Sequence, residues 1–84
     1  MRKIYVFTTS HCKKCKSVKS DLTELGYDFT EIDVENDEED MALDYNITST
    51  PHVIILDGGR ECWRAQGTLS GRQIEAMNRA LMGG

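Results

Sequence analysis

The sequence predicts an α/β fold in which a four-stranded mixed sheet is flanked by three helices, in the order β-α-β-α-β-β-α. Three observations lead to it: a fully apolar run near the start, an amphipathic repeat directly after it, and a second apolar run that leads into a glycine turn. With 84 residues and a mass of 9.5 kDa, the chain has room for a single hydrophobic core. We therefore expect one domain over residues 1–84.

The first strand and the first helix have the clearest patterns. Residues 4–7 are apolar at every position, which is typical of a strand buried on both faces and predicts a central strand. From about Cys12 to Leu25, apolar residues recur at steps of three and four, and Gly26 follows. This pattern predicts an amphipathic helix that ends at a glycine.

The next two elements are predicted from alternation and from charge. Residues 27–34 alternate between apolar and acidic positions, which predicts a second strand. A helix connects the two strands, so they should be parallel. Residues 36–39 place carboxylates where a helix dipole favours them, and Met41, Ala42 and Tyr45 supply an apolar face. We expect a second helix of two to three turns.

The last three elements form a hairpin and a helix. Residues 53–56 are the most β-prone run of the chain, and Asp-Gly-Gly at 57–59 predicts a tight turn into a strand over residues 60–66. These two strands should be antiparallel. Ser70 precedes apolar residues at helical spacing, so it is the predicted N-cap of the last helix.

Composition excludes several classes of function. The net charge of -4 and the pI of about 5.0, without interleaved basic and aromatic residues, argue against nucleic-acid binding. The apolar start is too short for a signal peptide or a membrane span. Three cysteines are an odd number, which fits a reducing compartment. We expect a cytoplasmic monomer that binds neither nucleic acid nor membrane.

Cys12 and Cys15 are the residues most indicative of chemistry. Such a pair can be a redox dithiol, half of a metal site or two buried structural thiols. Here it follows a strand and opens a helix, where backbone N–H groups and the helix dipole favour a thiolate. One helical turn also brings the two sulfurs within reach of a disulfide. We therefore favour the redox dithiol.

In this interpretation the two cysteines have different roles. Cys12 is the exposed thiolate that attacks, and Cys15, which faces the core, resolves the mixed disulfide. Lys13 and Lys14 can each stabilise a thiolate by about 0.2 to 1 kcal/mol. A protonated His11 would favour it as well.

The chain resembles the thioredoxin and glutaredoxin superfamily over nearly its whole length, as a short glutaredoxin-like thioredoxin that combines the two branches. Residues 4–34 look like a glutaredoxin, because the chain begins directly on the strand before the dithiol. The second half is similar to thioredoxin, with residues 45–47 leading to Thr50-Pro51, then a glycine hairpin, a long strand and Gly67.

The resemblance implies a thioredoxin fold and a protein-disulfide reductase that acts as an electron carrier without a cofactor or metal. It implies a cis-proline at Pro51 against the dithiol, with Thr50, Pro51 and Gly67 binding the client. Clients would be disulfide-containing proteins, ribonucleotide reductase being one candidate. The electron donor would be a thioredoxin-reductase-like enzyme or glutathione.

The sequence departs from both branches at the site. Lys13 and Lys14 replace the usual dipeptides, and Val6 stands where thioredoxins have a buried aspartate. The glutaredoxin Gly-Gly that precedes acidic residues after the fourth strand is absent, which argues against the alternative of a glutathione-dependent glutaredoxin.

A metal-binding adaptor is the other alternative. It would hold zinc or an iron-sulfur cluster with Cys12, Cys15 and a third ligand. The candidates for further ligands are Cys62, His11 and His52. We favour Cys62 as a small buried hydrophobe and His52 as a partly exposed strand residue.

Overall fold

The computed structural model describes residues 1–83, and the predicted order of elements is confirmed. The elements are β1 (Arg2–Thr8), α1 (Lys13–Glu24), β2 (Thr30–Asp33), α2 (Met41–Asp44), β3 (His52–Asp57), β4 (Arg60–Gln66) and α3 (Gly71–Leu81). A single domain over residues 1–84 stays a prediction, and Gly84 lies outside the described residues. Within residues 1–83, no helix is both long and apolar enough to cross a membrane.

The four strands form one mixed sheet in the order β2-β1-β3-β4. As predicted, β1 and β2 are parallel, and β3 and β4 form an antiparallel hairpin. The interior position of β1 explains its composition, because Ile4, Val6 and Phe7 are all buried.

The two faces of the sheet bury different amounts of apolar surface. The helical face, packed against α1 and α3, has nine buried residues: Ile4, Val6, Val18, Leu22, Val53, Ile55, Ala65, Leu69 and Met77. The α2 face has three, Phe7, Ile54 and Leu56, surrounded by partly buried side chains.

Both long helices have the ends that the sequence predicts. The Ser70 hydroxyl accepts the Gln73 N–H, and the Gln73 side chain accepts the Ser70 N–H, so α3 begins with a capping box. Gly26 follows α1 at a φ of 82°, a left-handed conformation that glycine adopts without steric cost.

The prediction of two to three turns for α2 is wrong. The helix is four residues long and begins at Met41, because Asp40 adopts a φ of 53° and interrupts any helix from residue 36. The carboxylate of Asp37 accepts the N–H groups of Met41 and Ala42 at 3.1 and 2.7 Å. The carboxylates expected in the first turn therefore precede the helix, and one of them, on Asp37, caps it from outside. The second strand is also shorter than predicted, because regular pairing with β1 begins only at Thr30.

Candidate active site

The Cys12–Cys15 pair lies where β1 ends and α1 begins. Cys12 is the N-cap of α1 and is partly buried, whereas Cys15 lies one turn into the helix and is 2% exposed. Their Cα atoms are 5.3 Å apart and their sulfurs form a disulfide. The pair therefore joins a partly exposed cysteine to a buried one.

Backbone groups around Cys12 favour negative charge on its sulfur. The Cys15 N–H donates to the Cys12 Sγ at 3.1 Å, and this donor belongs to the first turn of α1. The N-terminal end of a helix carries partial positive charge, so a thiolate on Cys12 is stabilised relative to a thiol.

A hydrogen-bonded turn holds Cys12 at the helix start. The Cys12 N–H donates to the Thr9 carbonyl at 3.3 Å. The N–H and hydroxyl of Ser10 both donate to Glu35, at 3.0 and 2.9 Å, and these two bonds hold the pKa of Glu35 below its usual value. The role of Glu35 was missed in the sequence, because this contact joins the turn to a loop 25 residues away.

Thr50, Pro51 and Gly67 lie together at the same end of the sheet as the disulfide. The Thr50–Pro51 peptide bond is cis, and Pro51 is buried. The hydroxyls of Thr9 and Thr50 are 3.4 Å apart, and the Gly67 N–H donates to the Pro51 carbonyl at 2.9 Å. Gly67 has a φ of 80° and open space where a Cβ would stand, so its backbone is accessible.

His11, Lys13 and Lys14 are all exposed around the disulfide. These side chains thus lie at the rim of the site, where water and salt weaken the effect of a charge on the sulfur. These positions fit the tuning role predicted for them and leave it to be tested.

A small pocket beside the disulfide contains an ion pair that sequence reasoning missed. The pocket measures about 120 Å³, and Cys12, Cys15, Lys19 and Glu31 are among the residues that line it. Glu31 accepts from the Lys19 Nζ at 3.0 Å and from the Thr8 hydroxyl at 2.7 Å. The hydrogen bond from Thr8 contributes most to holding the pKa of Glu31 below its usual value, and the hydrogen bond from Lys19 contributes next.

The prediction that His52 is partly exposed is wrong. Its side chain is only 5% exposed, and neither ring nitrogen meets hydrogen-bond geometry with a partner among residues 1–83. His52 is paired with Phe7 and Gln66 in the sheet. Burial lowers the pKa of His52; the backbone of Ser49 opposes this shift in part, and the charge of Arg64 adds to it.

Cys62 is partly buried on β4 and packs against the helical face, as a small hydrophobe would. It lies at the bulge opposite Ile55 and Leu56, whereas β3 meets the site at His52. Cys62 is therefore three residues along the sheet, or roughly 10 Å, from the end of β3 that borders the site. Among residues 1–83, no group of three or more His, Cys, Asp or Glu side chains is placed to hold a metal ion.

Comparison with known families identifies the kind of protein that carries this site. The family model described as Glutaredoxin matches residues 4–59, more than half of the chain, and includes both cysteines and Pro51. The chain belongs to the glutaredoxin family. This glutaredoxin match extends beyond residues 4–34, where the likeness was expected to lie, and reaches the turn after β3.

Solved structures with the same fold are thioredoxins. The reduced thioredoxin pre-protein of Schistosoma mansoni is 27% identical, with a TM-score of 0.78 over 95% of this chain and 78% of that one. Fasciola hepatica thioredoxin is 21% identical, with a TM-score of 0.79 over 94% and 80%. Spinach chloroplast thioredoxin f, in its short form, is 19% identical, with a TM-score of 0.80 over 94% and 75%. A search of curated protein sequences gave no match.

These findings confirm the predicted thioredoxin fold and the predicted superfamily. A glutaredoxin-family chain with a cysteine pair at disulfide distance supports a thiol-disulfide redox function.

Proposed function

We propose that this glutaredoxin is a cytoplasmic protein-disulfide reductase, an electron carrier in which Cys12 attacks and Cys15 resolves. The observation that carries the proposal is the asymmetry of the disulfide: Cys12 is a partly exposed residue at a helix N-terminus, and Cys15 is only 2% exposed. Only an accessible thiolate can reach a disulfide in another protein.

The reaction proceeds by two exchanges that conserve atoms and electrons. The Cys12 thiolate attacks one client sulfur, forming a mixed disulfide and releasing the other client sulfur as a thiolate. Cys15 then loses its proton to solvent and attacks the Cys12 sulfur, which releases the second client thiolate and forms the Cys12–Cys15 disulfide. The client gains two electrons, and a dithiol donor or glutathione must restore the pair.

The surroundings of the disulfide favour a protein client. The adjoining pocket of about 120 Å³ is well below the roughly 300 Å³ at which pockets for small organic ligands begin. Thr50, Pro51 and Gly67 lie at the same end of the sheet as the disulfide. Because the Gly67 N–H and the Pro51 carbonyl bond each other, the backbone of Thr50 would hold an extended client segment, with Pro51 and Gly67 bordering it. Ribonucleotide reductase, a candidate by family resemblance, is a client to test.

Glutathione is the second candidate as electron donor, and membership of the glutaredoxin family favours it. Against it, Gly58 and Gly59 form the β3–β4 turn, at the end of β3 away from Pro51. Reduction of the oxidised protein by glutathione alone, compared with reduction by a thioredoxin-reductase-like enzyme, distinguishes the two donors.

The roles of the two cysteines can be tested by trapping. Cys15→Ser should accumulate a mixed disulfide with a disulfide-bonded probe such as insulin, because the resolving thiol is missing. Cys12→Ser should accumulate none, and Cys62→Ser is the matched control that should reduce insulin at the wild-type rate. Trapping is measured by non-reducing electrophoresis and mass spectrometry. Equal trapping by Cys12→Ser and Cys15→Ser would contradict the assignment of Cys12 as the attacking and Cys15 as the resolving cysteine.

A further inference from the structure

The Lys19–Glu31 ion pair lines the same pocket as the two cysteines of the disulfide. Lys19 Nζ and Glu31 Oε2 are 3.0 Å apart, and both residues line the pocket of about 120 Å³ beside Cys12 and Cys15. Both charged side chains therefore border the same small space as the two cysteines. The charge of either residue therefore acts on a thiolate formed there.

Helix geometry directs Lys19 toward the disulfide. Lys19 follows Cys15 by four residues in α1, so both side chains lie on the same face of the helix. Side chains on a helix lean toward its N-terminus, which here is the end that carries Cys12. The Lys19 side chain is 32% exposed, so its charge is less screened than the charges of the exposed Lys13 and Lys14.

Thr8 fixes the carboxylate of this pair. Its hydroxyl donates to the same Glu31 oxygen that binds Lys19, at 2.7 Å, and Thr8 is only 3% exposed. The residue belongs to β1, whose end carries the turn into Cys12. The Glu31 side chain is 42% exposed, and the bond from the buried Thr8 holds its carboxylate at the wall of the pocket.

We propose that Lys19 and Glu31 are opposing positioning residues that set the acidity of Cys12, with Lys19 favouring the thiolate and Glu31 limiting that effect. This inference rests on the proposed redox role of Cys12. An opposite charge near an ionisable group favours its charged form, and a like charge disfavours it. The pair thus leaves Cys12 less acidic than Lys19 alone would make it.

Other titratable residues lie around the same pocket, and they are identical in all the variants that are compared. Lys16 of α1 and Asp33 of β2 also line it, Glu35 holds the turn at Ser10, and His11 precedes Cys12. The proposal concerns the difference that Lys19 and Glu31 make against this background.

The test is the pH profile of Cys12 alkylation by iodoacetamide in the reduced protein, with the site read by mass spectrometry. In Lys19→Met the profile should move to higher pH, and alkylation near pH 6 should slow about threefold, or roughly half a pKa unit. In Glu31→Gln, which keeps an oxygen for Thr8, the profile should move to lower pH by a similar amount.

Four further variants separate the effect of charge from that of structure. Lys19→Arg keeps the charge and should retain the wild-type profile, and the double variant Lys19→Met/Glu31→Gln should lie between the two single variants. Lys3→Met and Glu24→Gln remove the same charges at exposed sites, on β1 away from the dithiol and at the last residue of α1, and should leave the profile unchanged.

The proposal is overturned if Lys19→Met and Glu31→Gln move the profile in the same direction, or by no more than Lys3→Met and Glu24→Gln do. The measurement needs no client. Opposite shifts would therefore support this inference even if Cys15→Ser trapped no mixed disulfide, an outcome that would count against the proposed reductase alone.

Discussion

The two faces of the sheet differ in how they are built. On the helical face, the sheet, its connecting loops and two helices of 12 and 11 residues bury nine side chains between them. On the α2 face, a four-residue helix and its loops cover three. The difference in buried side chains indicates that most of the stability comes from the helical face, where α1 carries Cys15. The α2 face, next to the loop before Pro51, contributes less.

The largest expected effect compares one apolar truncation on each face. Leu22→Ala, at a fully buried position of α1, should lower the free energy of unfolding by about 2 to 5 kcal/mol. Met41→Ala, at a partly buried position of α2, should cost less than half as much, because it removes fewer packed atoms. Equal losses in urea denaturation would contradict the proposed difference between the faces.

An intermediate effect comes from the helix caps. Ser70→Ala and Asp37→Ala should each cost about 0.5 to 2 kcal/mol, because each removes an acceptor for backbone N–H groups. Asp37→Ala should in addition speed hydrogen exchange of the Met41 and Ala42 amides, since α2 has only one turn. Glu39→Gln, at an exposed neighbour, is the control. Unchanged exchange in Asp37→Ala would show that packing, not the cap, holds α2.

The smallest expected effect concerns His52 and pH. Burial lowers its pKa in the folded state, so the unfolded chain binds a proton more readily near its usual pKa of about 6.5. Its contribution to stability is therefore complete above that pH and is lost as the pH falls through the lower, folded-state value.

The variant His52→Leu should remove this pH dependence. Leucine is similar in size to histidine but has no group that titrates. The free energy of unfolding of the variant should therefore fall less than that of the wild type between pH 6.5 and pH 5. Parallel denaturation curves at several pH values measure the difference. An identical pH dependence in both proteins would show that His52 does not titrate with unfolding.

What the sequence could predict follows from how local each signal is. Residues 4–7 indicate a central strand and Ser70 an N-cap, because the physical cause lies within a few residues of the element. The same holds for the Cys12–Cys15 spacing at a strand-to-helix junction. These predictions agree with the structure.

The features that sequence reasoning missed depend on contacts between distant residues. Glu31 reaches Thr8 across 23 residues, and Glu35 reaches Ser10 across 25. His52 is buried because of the residues that pack around the start of β3, which its own sequence neighbours do not reveal. The helix α2 is short because Asp40 adopts a left-handed conformation. No local sequence pattern distinguishes Glu31 and Glu35 from the other carboxylates between residues 21 and 44.

The most direct test of the central claim is a redox titration of the purified protein in a buffered dithiol, with free thiols counted by alkylation and mass at each potential. A single two-electron transition confined to Cys12 and Cys15, with Cys62 a thiol throughout, is the predicted result. A midpoint near roughly -270 mV would indicate a reductant, and one above about -200 mV an oxidant. No transition at this pair, with its thiols protected until a chelator is added, would contradict the account and indicate a metal site.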